Sequence, residues 1–150
     1  MINQIVKIVN ASSNELPQYS KIGDSGIDVR ANLPNGPVQI ISGERLLIDT
    51  GLSVAIPEGY EIQVRPRSGL AYKEGITVLN TPGTIDSNYR GNIGVILMNH
   101  NNNIEPFVVK HGDRIAQLVL TPVNGIIWNI VKSLEDTNRG EDGFGSTGVK

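Results

Sequence analysis

The 150 residues have the length of one domain, long enough to bury a core. The 13 Lys+Arg against 15 Asp+Glu leave a formal charge of -2, which excludes the broad basic field of a non-specific nucleic-acid binder, and with Cys at 0 there is neither a disulfide framework nor a thiolate zinc site. The opening residues lack the continuous apolar stretch of a secretory signal and no run approaches the ~20 apolar residues of a membrane span, so the expectation is a soluble cytoplasmic protein with no stable nucleic-acid or membrane binding.

In chain order, Ile5 to Val9 is the first apolar, β-branched stretch. Gly23-Asp24-Ser25-Gly26-Ile27-Asp28 reads as a turn by default, with carboxylates that could instead meet metal-bound water. Val38 to Ile41, Arg45 to Ile48, Leu52 to Ile56 and Glu61 to Val64 follow as strands, each closed by Gly, Pro, Asn or Asp. In the last of these, Ile62 and Val64 alternate with Glu61, Gln63 and Arg65, the period of a strand with one wet face. Arg65-Pro66-Arg67-Ser68-Gly69-Leu70-Ala71 is either an ordinary turn or an anion site, with a short helix predicted over Ser68 to Lys73.

Ile76 to Leu79 is the next strand, and Gly83 to Gly91 reads as a hairpin tip carrying Asp86, Tyr89 and Arg90. Ile93 to Leu97, Phe107 to Val109 and Ile115 to Leu120 are further strands; Gln117 interrupts the last and must find a partner or face a wet cleft. His100 and His111 sit among turn residues and read as surface histidines. A final stretch, Ile126 to Val131, holds Trp128, which reads as packing in a core or a subunit contact. Many short strands without a sustained helical stripe predict an all-β class: an antiparallel sandwich, jelly roll or small barrel.

From Glu135 onward no apolar face recurs, and composition predicts a mobile tail. Gly143-Phe144-Gly145-Ser146-Thr147-Gly148 matches the dinucleotide pattern by letter, but the strand and helix that fingerprint requires are missing around it. What remains is glycine backbone able to approach phosphate closely, hydroxyls on Ser146 and Thr147, and the guanidinium of Arg139.

Taken in order, five of these segments resemble the motifs of the trimeric dUTPase family: Gly26 to Ala31, Pro66 to Ala71, Gly83 to Gly91, Gly112 to Leu118, and Arg139 to Gly148. The resemblance runs from about Leu16 to the end. It implies a distorted jelly-roll, β-barrel-like subunit in a homotrimer, with a β-domain over residues 1–134 and a flexible C-terminal lid over 135–150. The implied activity is hydrolysis of dUTP to dUMP and pyrophosphate, which limits uracil in DNA and supplies dUMP for thymidylate synthesis. The implied cofactor is Mg2+, held mainly by the triphosphate and touched by Asp28 through water.

By the same resemblance Asp86 would orient and deprotonate the attacking water, and Gln117 would help place that water or the α-phosphate. Arg67, Ser68 and Gly69 would meet the phosphate chain, with Arg139, Gly145, Ser146 and Thr147 clamping its far end. Asn80, Gly83 and Ile85 would shape the uracil slot, Tyr89 would lie against the deoxyribose, and Phe144 would stack on the base. Asn88 and Asn92 stand where many relatives carry an acid. A deoxycytidine triphosphate deaminase shares the architecture but is expected to need a Glu on the strand after the hairpin, where Ile93 to Asn99 has no carboxylate. A non-catalytic dUTP sensor would have no use for Asp86.

Overall fold

The computed structural model describes residues 3–102, 104–141 and 143. The strands are β1 (Lys7–Asn10), β2 (Ile27–Arg30), β3 (Val38–Ile40), β4 (Arg45–Ala55), β5 (Tyr60–Arg65), β6 (Ile76–Val78), β7 (Gly83–Ile85), β8 (Asn92–Asn99), β9 (Phe107–Val109) and β10 (Arg114–Pro122). A single helix among the described residues, α1 (Ser68–Glu74), lies between β5 and β6. Every pairing is antiparallel: one sheet runs β1-β4-β8-β6, a second β2-β10-β5-β7, and β3 pairs with β9 alone. The chain is all-β, as the strand rhythm predicts.

The alternation in β8 buries Ile93, Val95, Leu97 and Asn99 on one face. Ile48 and Val54 of β4, Val29 of β2, Ile62 and Val64 of β5 and Leu118 of β10 join them in one apolar cluster, so the two large sheets share a core. Each such side chain contributes about 1.5–3 kcal/mol on burial. The buried Asn99 is satisfied by donating Nδ2 to the Ile40 carbonyl at 2.8 Å, which ties β8 to the small sheet.

Two bulges set the shape that matters for function. In β4, Asp49 faces Gly94 but Ser53 faces Asn92, so extra residues accumulate around Gly51, which adopts φ +71°. Side chains replace the lost ladder bonds: Asp49 Oδ1 accepts from Gly51 N at 2.8 Å, and buried Thr50 donates Oγ1 to the Ile93 carbonyl at 2.7 Å. This is why the expected pair Arg45 to Ile48 and Leu52 to Ile56 is one bent strand. In β10, the register slips between Arg114 and Ala116, burying Ile115 and Ala116 in succession.

Three sequence readings need correction. Ile27 and Asp28, read at the end of a turn, begin the strand Ile27–Arg30, because β10 supplies its partner. The Gly83 to Gly91 segment is not the tip of a two-stranded hairpin: β7 pairs with β5 while β8 pairs with β4 and β6, so the turn between β7 and β8 crosses from one sheet to the other. Ile126 to Val131 forms no strand among the described residues, and Trp128, read as packing in a core or a subunit contact, is 83% exposed in the single chain, which excludes the core.

Candidate active site

Gln117 on β10 is in register with Asp28 on β2 and with Arg65 on β5. Directly opposed residues of antiparallel strands share a face, so these three side chains form a row on the outer face of the second sheet, opposite buried Val29, Val64 and Leu118. The β10 bulge adds a fourth. Arg114 and Gln117 are three residues apart and would point to opposite faces of a regular strand; the extra residue turns Arg114 onto the same face, where it opposes Arg30.

Asp28 is the electrostatic centre of the row. Arg67 donates Nε to Asp28 Oδ1 at 2.9 Å, and Arg114 Nη1 lies 3.6 Å from Oδ2. Arg67 also donates Nη1 to the Arg114 carbonyl at 3.1 Å, which pins the entry of α1 against β10. Gln117 donates Nε2 to the Pro66 carbonyl at 2.8 Å, a second tie between the same segments. Gly26 makes room for that amide: a Cβ there would overlap Gln117 Oε1 and stand 3.0 Å from Cδ. Two clefts open beside the row. One of about 530 Å³ lies under the 12–26 segment and is lined by Asp28, Arg30, Arg114 and Gln117; another, of about 500 Å³, is lined by Arg65, Ser68, Thr81, Pro82 and Gln117.

Asp86 lies elsewhere. It follows β7, at the opposite edge of the second sheet from the β2 that carries Asp28, three strand spacings or roughly 14 Å away. Asp86 and Tyr89 line a separate cleft of about 320 Å³ with Leu47, Ile85 and Asn92. The turn is closed by Tyr89 N donating to the Asp86 carbonyl at 3.1 Å and by Arg90 Nη1 donating to the Ser87 and Tyr89 carbonyls, each at 2.7 Å. Among the described residues the Asp86 carboxylate accepts no hydrogen bond, so its oxygens are open to the cleft. Asn80 stands over buried Gly83, where a Cβ would come within 3.3 Å of its Nδ2. Ile85 opposes Ile62 and packs against the core.

One chain therefore brings together Asp28, Arg67, Ser68, Gly69 and Gln117, and separately Asn80, Gly83, Ile85, Asp86 and Tyr89. Arg139 is exposed beyond the last strand, and Phe144, Gly145, Ser146 and Thr147 lie outside the described residues. Arg114 is a cluster member that the sequence reading left out of the site. Its signal was an Arg at the mouth of an apolar strand just after a Gly-Asp turn, but the bulge that aims it is invisible in the letters. Asp24 and Asp113 are turn residues, accepting from Lys21 N at 2.7 Å and Lys110 N at 2.8 Å. His111 is exposed, as expected, yet it works as a clip: Nδ1 accepts from Leu33 N at 3.0 Å, which leaves Nε2–H to donate to Ser13 Oγ at 2.9 Å.

The fold and the cluster define an all-β protein with an arginine-lined polar cleft suited to an anionic ligand. The model of the dUTPase family matches residues 12–148, and the chain belongs to that family. It is 53% identical over 137 residues to the deoxyuridine 5'-triphosphate nucleotidohydrolase of Roseobacter denitrificans, covering 91% of this chain and 89% of that one. It is 52% identical over 143 residues to the enzyme of the same name from Fusobacterium nucleatum, covering 95% and 96%. Among solved structures, the dUTPase of Staphylococcus bacteriophage 80alpha with dUPNHPP superposes at a TM-score of 0.82 with 28% identity, covering 98% of this chain and 100% of that one. A mutant dUTPase of phage phi11 of S. aureus, solved for the coordination of a structural Mg(II) ion, shares the fold at a TM-score of 0.77 and 23% identity, covering 89% and 100%.

Proposed function

We propose that this dUTPase-family chain cleaves dUTP by attack of an Asp86-activated water on the α-phosphorus, in sites shared between the copies of a homotrimer. It is a dUTP diphosphatase, a hydrolase of nucleotide metabolism. The observation that carries the finer reading is the split geometry: a guanidinium-clamped carboxylate on one edge strand of a sheet with an amide on the strand beside it, and a carboxylate with open oxygens after the other edge strand. A triphosphate needs both halves, and the split is bridged when one copy's phosphate side meets another's Asp86 and Tyr89. The exposed segment after β10 supports assembly, since Ile127, Trp128 and Ile130 are 97%, 83% and 96% exposed in the single chain and an apolar run of that kind calls for a covering surface.

In the step itself, Asp86 takes a proton from water as its oxygen bonds to the α-phosphorus. The bond from that phosphorus to the oxygen bridging to the β-phosphate breaks, and pyrophosphate leaves with the electron pair, giving dUMP. Holding the water in line and pre-aiming cationic groups at the phosphate oxygens lowers the barrier without covalent chemistry. Arg67 and Ser68 face the phosphates beside Gly69, and Gln117 places the water or the α-phosphate.

Among the described residues no three carboxylate or imidazole groups converge to cage a metal, and Asp28 already receives two guanidiniums. That donor set fits a magnesium ion carried by the triphosphate, with Asp28 reaching its water shell. When bound, Mg2+ would neutralise charge on the phosphate oxygens.

The slot at Asn80, Gly83 and Ile85 reads the uracil edge, and Tyr89 stands where a 2′-hydroxyl would project. Arg139, Phe144, Gly145, Ser146 and Thr147 close over the nucleotide as a lid. The product supplies thymidylate synthesis while substrate removal keeps uracil out of DNA. A chain without cysteine suits a cytoplasmic setting. Pyrophosphate release measured across dUTP, dTTP, dCTP and UTP, with and without magnesium, tests the reading. Release confined largely to dUTP and dependent on magnesium is expected; equal rates on all four, or ammonia from dCTP, would refute it.

A further inference from the structure

Tyr89 is not free to choose its place. Its ring folds back over Gly91, where a Cβ would stand 2.5 Å from Cζ and 3.0 Å from Cε2, and its hydroxyl donates to the Asn92 carbonyl at 3.0 Å. The phenol is thus referenced to the first residue of β8. That residue pairs with Ser53, and just beyond the pair the β4–β8 ladder is interrupted, between Ser53 and Asp49. A side-chain bond spans the gap: Asn92 Nδ2 donates to Asp49 Oδ1.

Asp49 is the braced end of this link. The same Oδ1 accepts from Gly51 N at 2.8 Å, its own carbonyl accepts from Asn32 N at 2.8 Å, and the Gly51 carbonyl accepts from Ala11 N at 2.8 Å. Buried Thr50 fastens the bulge to β8 through the Ile93 carbonyl at 2.7 Å. The bulge is held from three sides, whereas Asn92 is exposed and is paired with Ser53 at the far side of the bulge, as the first residue of β8.

We propose that Asp49 and Asn92 form a positioning pair that sets how closely Tyr89 approaches the sugar, and so sharpens the preference for deoxyribonucleotide over ribonucleotide. The inference rests on reading Tyr89 as the sugar gate. Both are positioning residues: they act on Tyr89 through the Asn92 backbone. Steric exclusion of a hydroxyl depends on displacements of a fraction of an ångström, so loosening the anchor admits the ribonucleotide before it impairs turnover of dUTP.

The test is the ratio of kcat/KM for dUTP over UTP in Asp49→Ala, Asn92→Ala, the double variant, Asp49→Asn and Tyr89→Ala. Both alanine variants remove the Asp49–Asn92 hydrogen bond, Asp49→Ala together with the bond from Gly51 N, and each should lower the ratio about three- to tenfold, through better use of UTP with kcat on dUTP largely kept. The double variant should fall no further, because both changes break one interaction. Asp49→Asn keeps an Oδ1 acceptor for both Asn92 and Gly51 N and should restore the ratio. Should Asp49→Ala fail to fold, Asn92→Ala leaves the Tyr89-bearing carbonyl in place and carries the test alone. A Tyr89→Ala variant that loses discrimination while the alanine variants keep it would overturn the pair and leave the gate standing. A Tyr89→Ala variant with an unaltered ratio would remove the gate, and the inference with it.

Discussion

Gln117 shows how much one residue's surroundings decide. A Gln in the apolar run Ile115 to Leu120 stands out in the letters, but what it does follows from its neighbours: Asp28 and Arg65 in register, the Pro66 carbonyl at 2.8 Å, and Gly26 pressed against its amide. Gly26→Ala should displace that amide while leaving the core untouched. A side chain moved by about an ångström in an active site costs on the order of 10²-fold, so kcat/KM for dUTP should fall steeply with an unchanged thermal midpoint; a fully active variant would show that Gln117 is not a placing group. Asp86→Asn removes the base yet keeps the shape and a hydrogen-bonding side chain. Nucleotide binding should persist, measured by calorimetry, while kcat drops about 10²–10⁴-fold; an unchanged kcat would take Asp86 out of the chemistry.

At the scale of elements, β4 and β8 form the centre of the first sheet, and their pairing carries the core. Leu97 is fully buried in β8. Leu97→Ala should cost about 2–5 kcal/mol, read by denaturant unfolding as a lower midpoint with a preserved slope. A loss under about 1 kcal/mol would mean the surrounding strands collapse into the space. The bulges are the other lesson at this scale. In β10 the bulge gathers Arg114 with Gln117 on one face, and in β4 it leaves a gap that the Asp49–Asn92 pair spans. Both lie where β strands approach the candidate site, consistent with the use of bulges to re-aim side chains.

At the scale of the whole molecule, Asp28 lies on one edge strand of a sheet and Asp86 follows the other, so assembly completes the site in the proposed reading. In the proposed reading residues 139–150 close over the nucleotide, so removing them should leave a folded homotrimer with little activity. Light scattering and a pyrophosphate assay on the truncated chain check both halves; full activity would dismiss the lid, and a monomer would show that the deleted residues hold the assembly.

By itself the sequence determined the all-β class, most of the strands, the helix at Ser68 and the five ordered segments that mark the family. Alternating β-branched residues and Gly or Pro stops are local signals, and β8 or β10 can be read from them directly. Only the tertiary structure decided that Ile27–Arg30 and Gly83–Ile85 are strands, since each is short and exists through its pairing partner, β10 or β5. It likewise decided that Ile126 to Val131 forms no strand among the described residues, that Arg114 shares a face with Asp28, and that Asn92 is tied to Asp49. Which face a side chain occupies, and what it meets there, depends on register and on inserted residues, and one slipped residue reverses the facing of all that follow.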